Sequence, residues 1–190
     1  MWGSRMVESQ KSPAFTGLVV HRDPSAGYSL LLPDGWHRTD LPDNGGTLYQ
    51  PDQNDPTTGL EVNGLKLGSE IQPRDLPTIR RGFLAGLRQL PSCQVEQQED
   101  AAIGGLLTLE ARLTYRQEES IRKRWVRLLY QGQTQIRLVA EGSTVERFGY
   151  WESMFVTAFR TVRFGDWWAE AIGVEWTETP FQTDAEKPLL

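Results

Sequence analysis

Apolar and polar positions alternate along most of this chain, and the period of that alternation lengthens in two places. Phe15 to Asp23 (FTGLVVHRD) and Tyr28 to Pro33 (YSLLLP) flank Pro24, Ser25 and Gly27, which predicts two strands joined by a turn. Pro33, Asp34 and Gly35 turn the chain again, and Trp36 just beyond them is placed to close the edge of a core. TLYQ and LEVNGLKL read as two further strands around the irregular loop PDQNDPTTG. The period then changes: Leu76, Ile79, Phe83, Leu87 and Leu90 recur at steps of three and four, with Asp75 at the start, which predicts a helix with one apolar face.

After Pro91 the period returns to two. CQVEQ reads as a short strand, Gly104 and Gly105 as a turn, and LLTLEARLTY, IRKRWVRLLY and TQIRLVAEG as three long strands of an antiparallel meander. The stretch from Ser143 to Glu146 (STVE) has the spacing of a capping box. Phe148, Trp151, Phe155 and Phe159 follow at helical spacing, a stripe that reads as core rather than as a cofactor box.

In this order the elements resemble the PsbP-type family. The residues that carry the likeness are GYSLLLPDGW from Gly27, the amphipathic helix from Asp75, IGGLLTLEARLTY from Ile103, RWVRLLYQGQTQIRLVAEGS from Arg124 and WESMFVTAFRTVRF from Trp151. The resemblance implies an α+β fold: a twisted antiparallel sheet with helices packed on its faces, an α/β/α sandwich of the PsbP and MOG kind. GYSLLLPDGW becomes its second strand and following turn. It divides the chain into an extension 1–14, a domain 15–165 and an acidic, Trp-rich extension 166–190. It implies a non-enzymatic binding or adaptor role, since members are photosystem subunits, a partner of a small GTPase, lipoproteins and chaperones. A chaperone shielding an apolar client segment is the alternative, and an enzyme acting on a small anionic substrate is a third class. Fold alone does not choose among them.

Composition narrows this further. The chain has 190 residues, 38% of them hydrophobic, which suits one core without staples, and a net charge of −5, which disfavours a general nucleic-acid or membrane-surface role. The single Cys93 excludes an internal disulfide and reads as a small buried hydrophobe. A reducing, cytoplasmic location is expected, with no membrane insertion, because no segment has the length of a spanning helix or the apolar run of a signal peptide.

No motif for a cofactor, nucleotide or catalytic triad is present, and no metal site is expected. His21 and His37 lack ligand spacing and read as surface residues; Asp52 and Asn54 hint at calcium, but Pro56 and the missing glycine break an EF-hand loop. Charge is distributed unevenly. Between Arg112 and Arg147 lie eight basic and four acidic residues. Strand alternation sets Trp125 and Arg127 apart from Val126 and Leu128, so with aligned register Arg112, Trp125, Arg127 and Arg137 would form a basic aromatic ligand-binding surface. The plainer alternative makes them ordinary strand residues with Glu110 and Glu141 as cross-strand partners. The extension from Asp166 holds six acidic residues against Lys187, together with Trp167, Trp168, Trp176 and Phe181. Those rings need a surface: the chain's own domain, or a second copy in a homodimer. A protein partner is expected, and nucleic acid is not.

Overall fold

The computed structural model describes residues 13, 14, 16–42 and 45–165. Residues 166–190, with Trp167, Trp168, Trp176, Phe181 and the docking or homodimer expected of them, lie outside the described residues, as do residues 1–12. The first half of the domain contains β1 (Leu18–Asp23), β2 (Tyr28–Pro33), β3 (His37–Leu41), β4 (Gly46–Gln50), β5 (Gly59–Lys66) and α1 (Leu76–Leu87). The second half contains β6 (Gln94–Ile103), β7 (Leu106–Gln117), β8 (Ser120–Gln131), β9 (Thr134–Gly142), α2 (Val145–Thr161) and β10 (Arg163–Phe164).

Seven strands form one antiparallel sheet in the order β3-β4-β5-β9-β8-β7-β6. β1, β2 and β10 form a separate antiparallel sheet with β2 at its centre. GYSLLLPDGW is therefore not the second strand of the main sheet. The chain returns after α2 to pair β10 with β2, and Gly165 N–H donates to the Gly27 carbonyl at 2.9 Å, closing the small sheet on its other edge. β2 is consequently buried on both faces: Tyr28, Leu30 and Leu32 enter the core, and Ser29 is covered, its hydroxyl donating to the Gly165 carbonyl at 3.0 Å.

The helices take opposite faces of the main sheet. Phe148, Phe155 and Phe159 of α2 are at most 1% exposed, and pack with β2 against Leu60, Val62, Leu129, Ile136, Leu138 and Ala140. On the far face Leu76, Ile79 and Phe83 of α1 meet Leu107, Leu109, Leu128 and Tyr130, while Phe83, Leu87 and Leu90 meet Ala111, Leu113, Tyr115 and Val126. The result is an α+β sandwich, with α2 and the small sheet above the main sheet and α1 below it.

Local chemistry differs from the sequence reading at several points. β3 is unexpected because HRTDL has one apolar residue and no alternation; its strand form comes from pairing with β4 at the sheet edge. β6 runs on to Ile103 through polar residues for the same reason, paired with β7. α2 is capped by Thr144, whose hydroxyl accepts from the Arg147 amide at 3.2 Å; Ser143 instead donates to the Asp55 carboxylate at 2.8 Å, a charged and hence stronger acceptor. Gly142, which ends β9, lies so close to the Phe148 backbone that any Cβ would collide with it, so glycine sets how closely α2 approaches the sheet. His21 is half-buried, edge-on to Tyr49 at 4.9 Å, and burial with the nearby Arg38 charge holds its pKa below the ordinary histidine value. Cys93 is half-buried beside Leu87 and Leu113.

Trp36 is 8% exposed and stands edge-on to Trp151 and Phe155 at 5.8 and 5.9 Å, locking the β2–β3 turn onto α2. Trp36→Ala should therefore cost about 3–5 kcal/mol in equilibrium denaturation. A loss under about 1 kcal/mol would show that the ring is not part of the core.

Candidate functional site

The register of the central strands decides where each predicted site residue lies. Arg112 faces Trp125 and Glu110 faces Arg127 across β7 and β8, and in β9 their row continues with Ala140 and Leu138. This row lies beneath α2. Trp125, expected at the surface, is 3% exposed, stacked on Phe159 at 4.0 Å with Arg112 also 4.0 Å from its ring centre. Trp125 Nε1–H and Arg127 Nε–H each donate to Glu110 at 2.6 Å, and Arg112 donates to Glu152 of α2 at 2.6 Å. Arg127 also donates to the carbonyl of Phe159, one of the last-turn carbonyls that have no partner within a helix. Arg112, Trp125 and Arg127 thus come together as a clamp between sheet and helix, with the cation at the helix end where the dipole favours it.

Arg137 is not part of that group. It pairs across the strands with Leu128 and Asn63, which places it on the opposite face. α1 covers that face over β7 and β8; over β9, β5 and β4 it is uncovered by any described helix. Here a cavity of about 270 Å³ is lined by Arg122, Arg124, Arg137, Glu61 and Glu141, with Leu48, Thr57, Gly59 and Val139.

Glu141 is the hub of this cavity. Its carboxylate accepts from Tyr115 Oη at 2.6 Å, Arg122 Nη1 at 3.1 Å and Arg124 Nε at 2.5 Å, while Arg124 Nη2 also donates to Tyr115 Oη at 2.9 Å. Arg137 Nη2 donates to Glu61 at 2.5 Å. Burial, then the Glu141 carboxylate, push the Tyr115 phenol up to about 12, so it stays a neutral donor. Three guanidinium groups face two carboxylates, an excess of one positive charge. Within the clamp and the cavity rim, the Nε atoms of Arg112, Arg122 and Arg137 are buried without a protein partner.

One wall of the cavity is the loop that delivers Thr57 and Gly59, and Asp55 pins it to the start of α2. The Asp55 carboxylate accepts from Thr58 and Ser143 hydroxyls at 2.7 and 2.8 Å and from Arg147 Nε at 3.1 Å; Asp52 accepts from Arg147 Nη2 at 3.2 Å. The acidic loop residues thus serve an arginine. Among the described residues no group of three or more His, Cys, Asp or Glu side chains is arranged to hold a metal.

The sequence reading counts Arg122, Arg124 and Glu141 as charge or cross-strand partners and passes over Glu61 and Tyr115. Alternation within β8 and within β9 was a usable signal, since Arg122 and Arg124 share parity with Val126, and Arg137 shares parity with Glu141. What joins the two strands is their pairing, which alternation within one strand does not contain.

Cyanobacterial PsbP (CyanoP) from Synechocystis sp. PCC 6803 superposes with a TM-score of 0.59 at 15% identity, over 81% of this chain and 98% of its own. The chain has the PsbP-type fold. LpqN from Mycobacterium tuberculosis, described as involved in cell envelope biogenesis, shares the PsbP-type fold at a TM-score of 0.54 and 18% identity, over 78% of this chain and 90% of its own. The yeast Ran-binding protein Mog1p aligns at 10% identity with a TM-score of 0.49, over 78% of this chain and 95% of its own. No family model matches the chain, and comparison with curated proteins finds no match. At these identities the PsbP-type likeness establishes architecture and carries no site residue across.

The loop anchor has a pH signature. Burial pushes the Asp55 carboxyl up, but hydrogen bonds from Thr58, Ser143, Arg147 and Thr57 overcome it and hold its pKa down at about 2. A folded value below the unfolded one of about 4 means that Asp55 stabilises fully above about pH 4 and loses that contribution as pH falls towards 2. Asp55→Asn should lower unfolding free energy by on the order of 1–2 kcal/mol at pH 6, and the two proteins should converge as pH falls towards 2. A gap that stays constant with pH would rule out the charged network.

Proposed function

We propose that this PsbP-type domain is a non-enzymatic binding or adaptor module that holds a protein partner on the half of its main sheet that no described helix covers, over β4, β5 and β9. The observation that carries the reading is the arginine-lined cavity on that half-face, opposite the face closed by α2. Two features favour binding over catalysis. The cavity's ionisable groups are engaged with one another, Glu141 by two arginines and Tyr115, so the arrangement supports recognition without a poised base. The half-face sets Arg137, Glu61, Glu141 and Asn63 among Leu48, Leu65 and Val139, and its charged groups suit a folded, charged partner better than the apolar client of a chaperone. A cytoplasmic setting belongs to the same proposal and rests on the single, half-buried Cys93.

Site-specific photocrosslinking in the native host tests this directly. A crosslinking residue at Thr57 or Asn63, on the open half-face, should trap one defined protein, whereas one at Ser153, on the exposed side of α2, should not. Equal trapping from Ser153, or none from Thr57 and Asn63, would move the binding surface elsewhere or remove it.

A further inference from the structure

The chemistry of the cavity specifies what it receives, on the reading that the open half-face is the binding surface. The cavity carries one positive charge more than its own carboxylates neutralise. A single carboxylate restores the balance. A phosphate, at −1.5 to −2 near neutral pH, would leave surplus negative charge against Glu61 and Glu141. The arginines are already spaced for carboxylates, since both anionic groups they hold are glutamates at hydrogen-bonding distance. The Leu48 and Val139 side chains line the same cavity and provide apolar wall for methylene groups beside the charge.

Access is from the strand surface. The Arg137 side chain is 40% exposed and sits beside Glu61 at 26%, whereas Arg122 and Glu141 lie deeper at 15% and 13%. A carboxylate entering from solvent therefore meets Arg137 first, the most exposed of the charged side chains lining the cavity. From this arrangement we propose that the cavity lined by Arg122, Arg124 and Arg137 is a receptor for an acidic side chain, aspartate or glutamate, presented by a peptide segment of the partner protein. Arg137 is the entry contact, and Glu61 is the internal carboxylate that occupies Arg137 when the partner is absent. The incoming carboxylate competes with Glu61 for Arg137 and neutralises the excess charge.

Three full-length proteins test this: the native chain, Arg137→Gln and Glu61→Gln. Each is titrated with a glutamate-rich peptide, its glutamine counterpart and inorganic phosphate, and binding is followed by NMR at the Tyr115, Val139 and Gly59 amides. The glutamate peptide should bind saturably and shift those signals, and the glutamine peptide should not. Arg137→Gln should weaken binding about tenfold, the value of one charge-assisted hydrogen bond. Glu61→Gln should strengthen it, because it frees Arg137 and raises the local charge. A merely structural Arg137–Glu61 pair predicts no gain from Glu61→Gln, so that result would overturn the proposal even if Arg137→Gln were unstable. Phosphate binding in preference to the glutamate peptide would overturn the carboxylate assignment. Binding that emerges only after the six acidic residues of 166–190 are replaced by amides would make the chain's own segment the occupant and exclude an external one. If no peptide binds while crosslinking from Thr57 still traps a protein, the acidic-receptor inference falls and the open half-face remains the binding surface.

Discussion

A slip of one residue in the pairing of β8 with β7 and β9 would carry Trp125, Arg127 and Leu129 beneath α1 and Arg124, Val126 and Leu128 beneath α2. Both faces resist the slip together. Leu107, Leu109, Leu113 and Val126 are buried against α1, while Leu129, Ile136, Leu138 and Ala140 are buried against α2 and the small sheet, so either slip exposes apolar area and buries charge. The polar residues interspersed among them have no choice of side. Register set by apolar burial thereby sorts the arginines of adjacent strands into two environments.

Those environments give one side-chain type two roles. Beneath α2 each arginine meets a partner that burial requires: Glu110 and the Phe159 carbonyl for Arg127, Glu152 and the Trp125 ring for Arg112. Removing such a partner strands a desolvated group, which is why these contacts hold the helix in place. Across the sheet α1 stops short, and arginines of the same strands line a cavity whose charges do not cancel. Gly142 and the Asp55 network complete the division. The first allows α2 to close on one face, and the second ties the loop that walls the cavity on the other to the same helix.

Much of the architecture was legible because apolar periodicity reports burial directly. The stripe of Phe148, Phe155 and Phe159, the α1 face from Leu76 to Leu87 and the three long strands all lie where their periods placed them, while Leu90, expected on the same helix, packs from the turn that follows it. β3 and the end of β6 were not legible because their strand form depends on a neighbour's hydrogen bonds rather than on their own side chains. The separate small sheet was hidden for a related reason: the β2–β10 pairing joins residues more than 130 positions apart, through a two-residue strand with no pattern of its own. The candidate site was half legible. Alternation grouped Trp125 with Arg127, but which face Arg137 shares, and that Trp125 lies under a helix, follow from pairing and layer order.

The sorting of arginines by face is tested most directly by the unfolding free energies of Arg127→Gln and Arg137→Gln, measured side by side. Arg127→Gln leaves Glu110 and the Phe159 carbonyl short of a donor and should cost about 2–3 kcal/mol, whereas Arg137→Gln, at the mouth of the cavity, should stay within about 0.5 kcal/mol of the native protein. Equal losses, or a larger loss at Arg137, would contradict the division between arginines clamped beneath α2 and those lining the cavity on the other face.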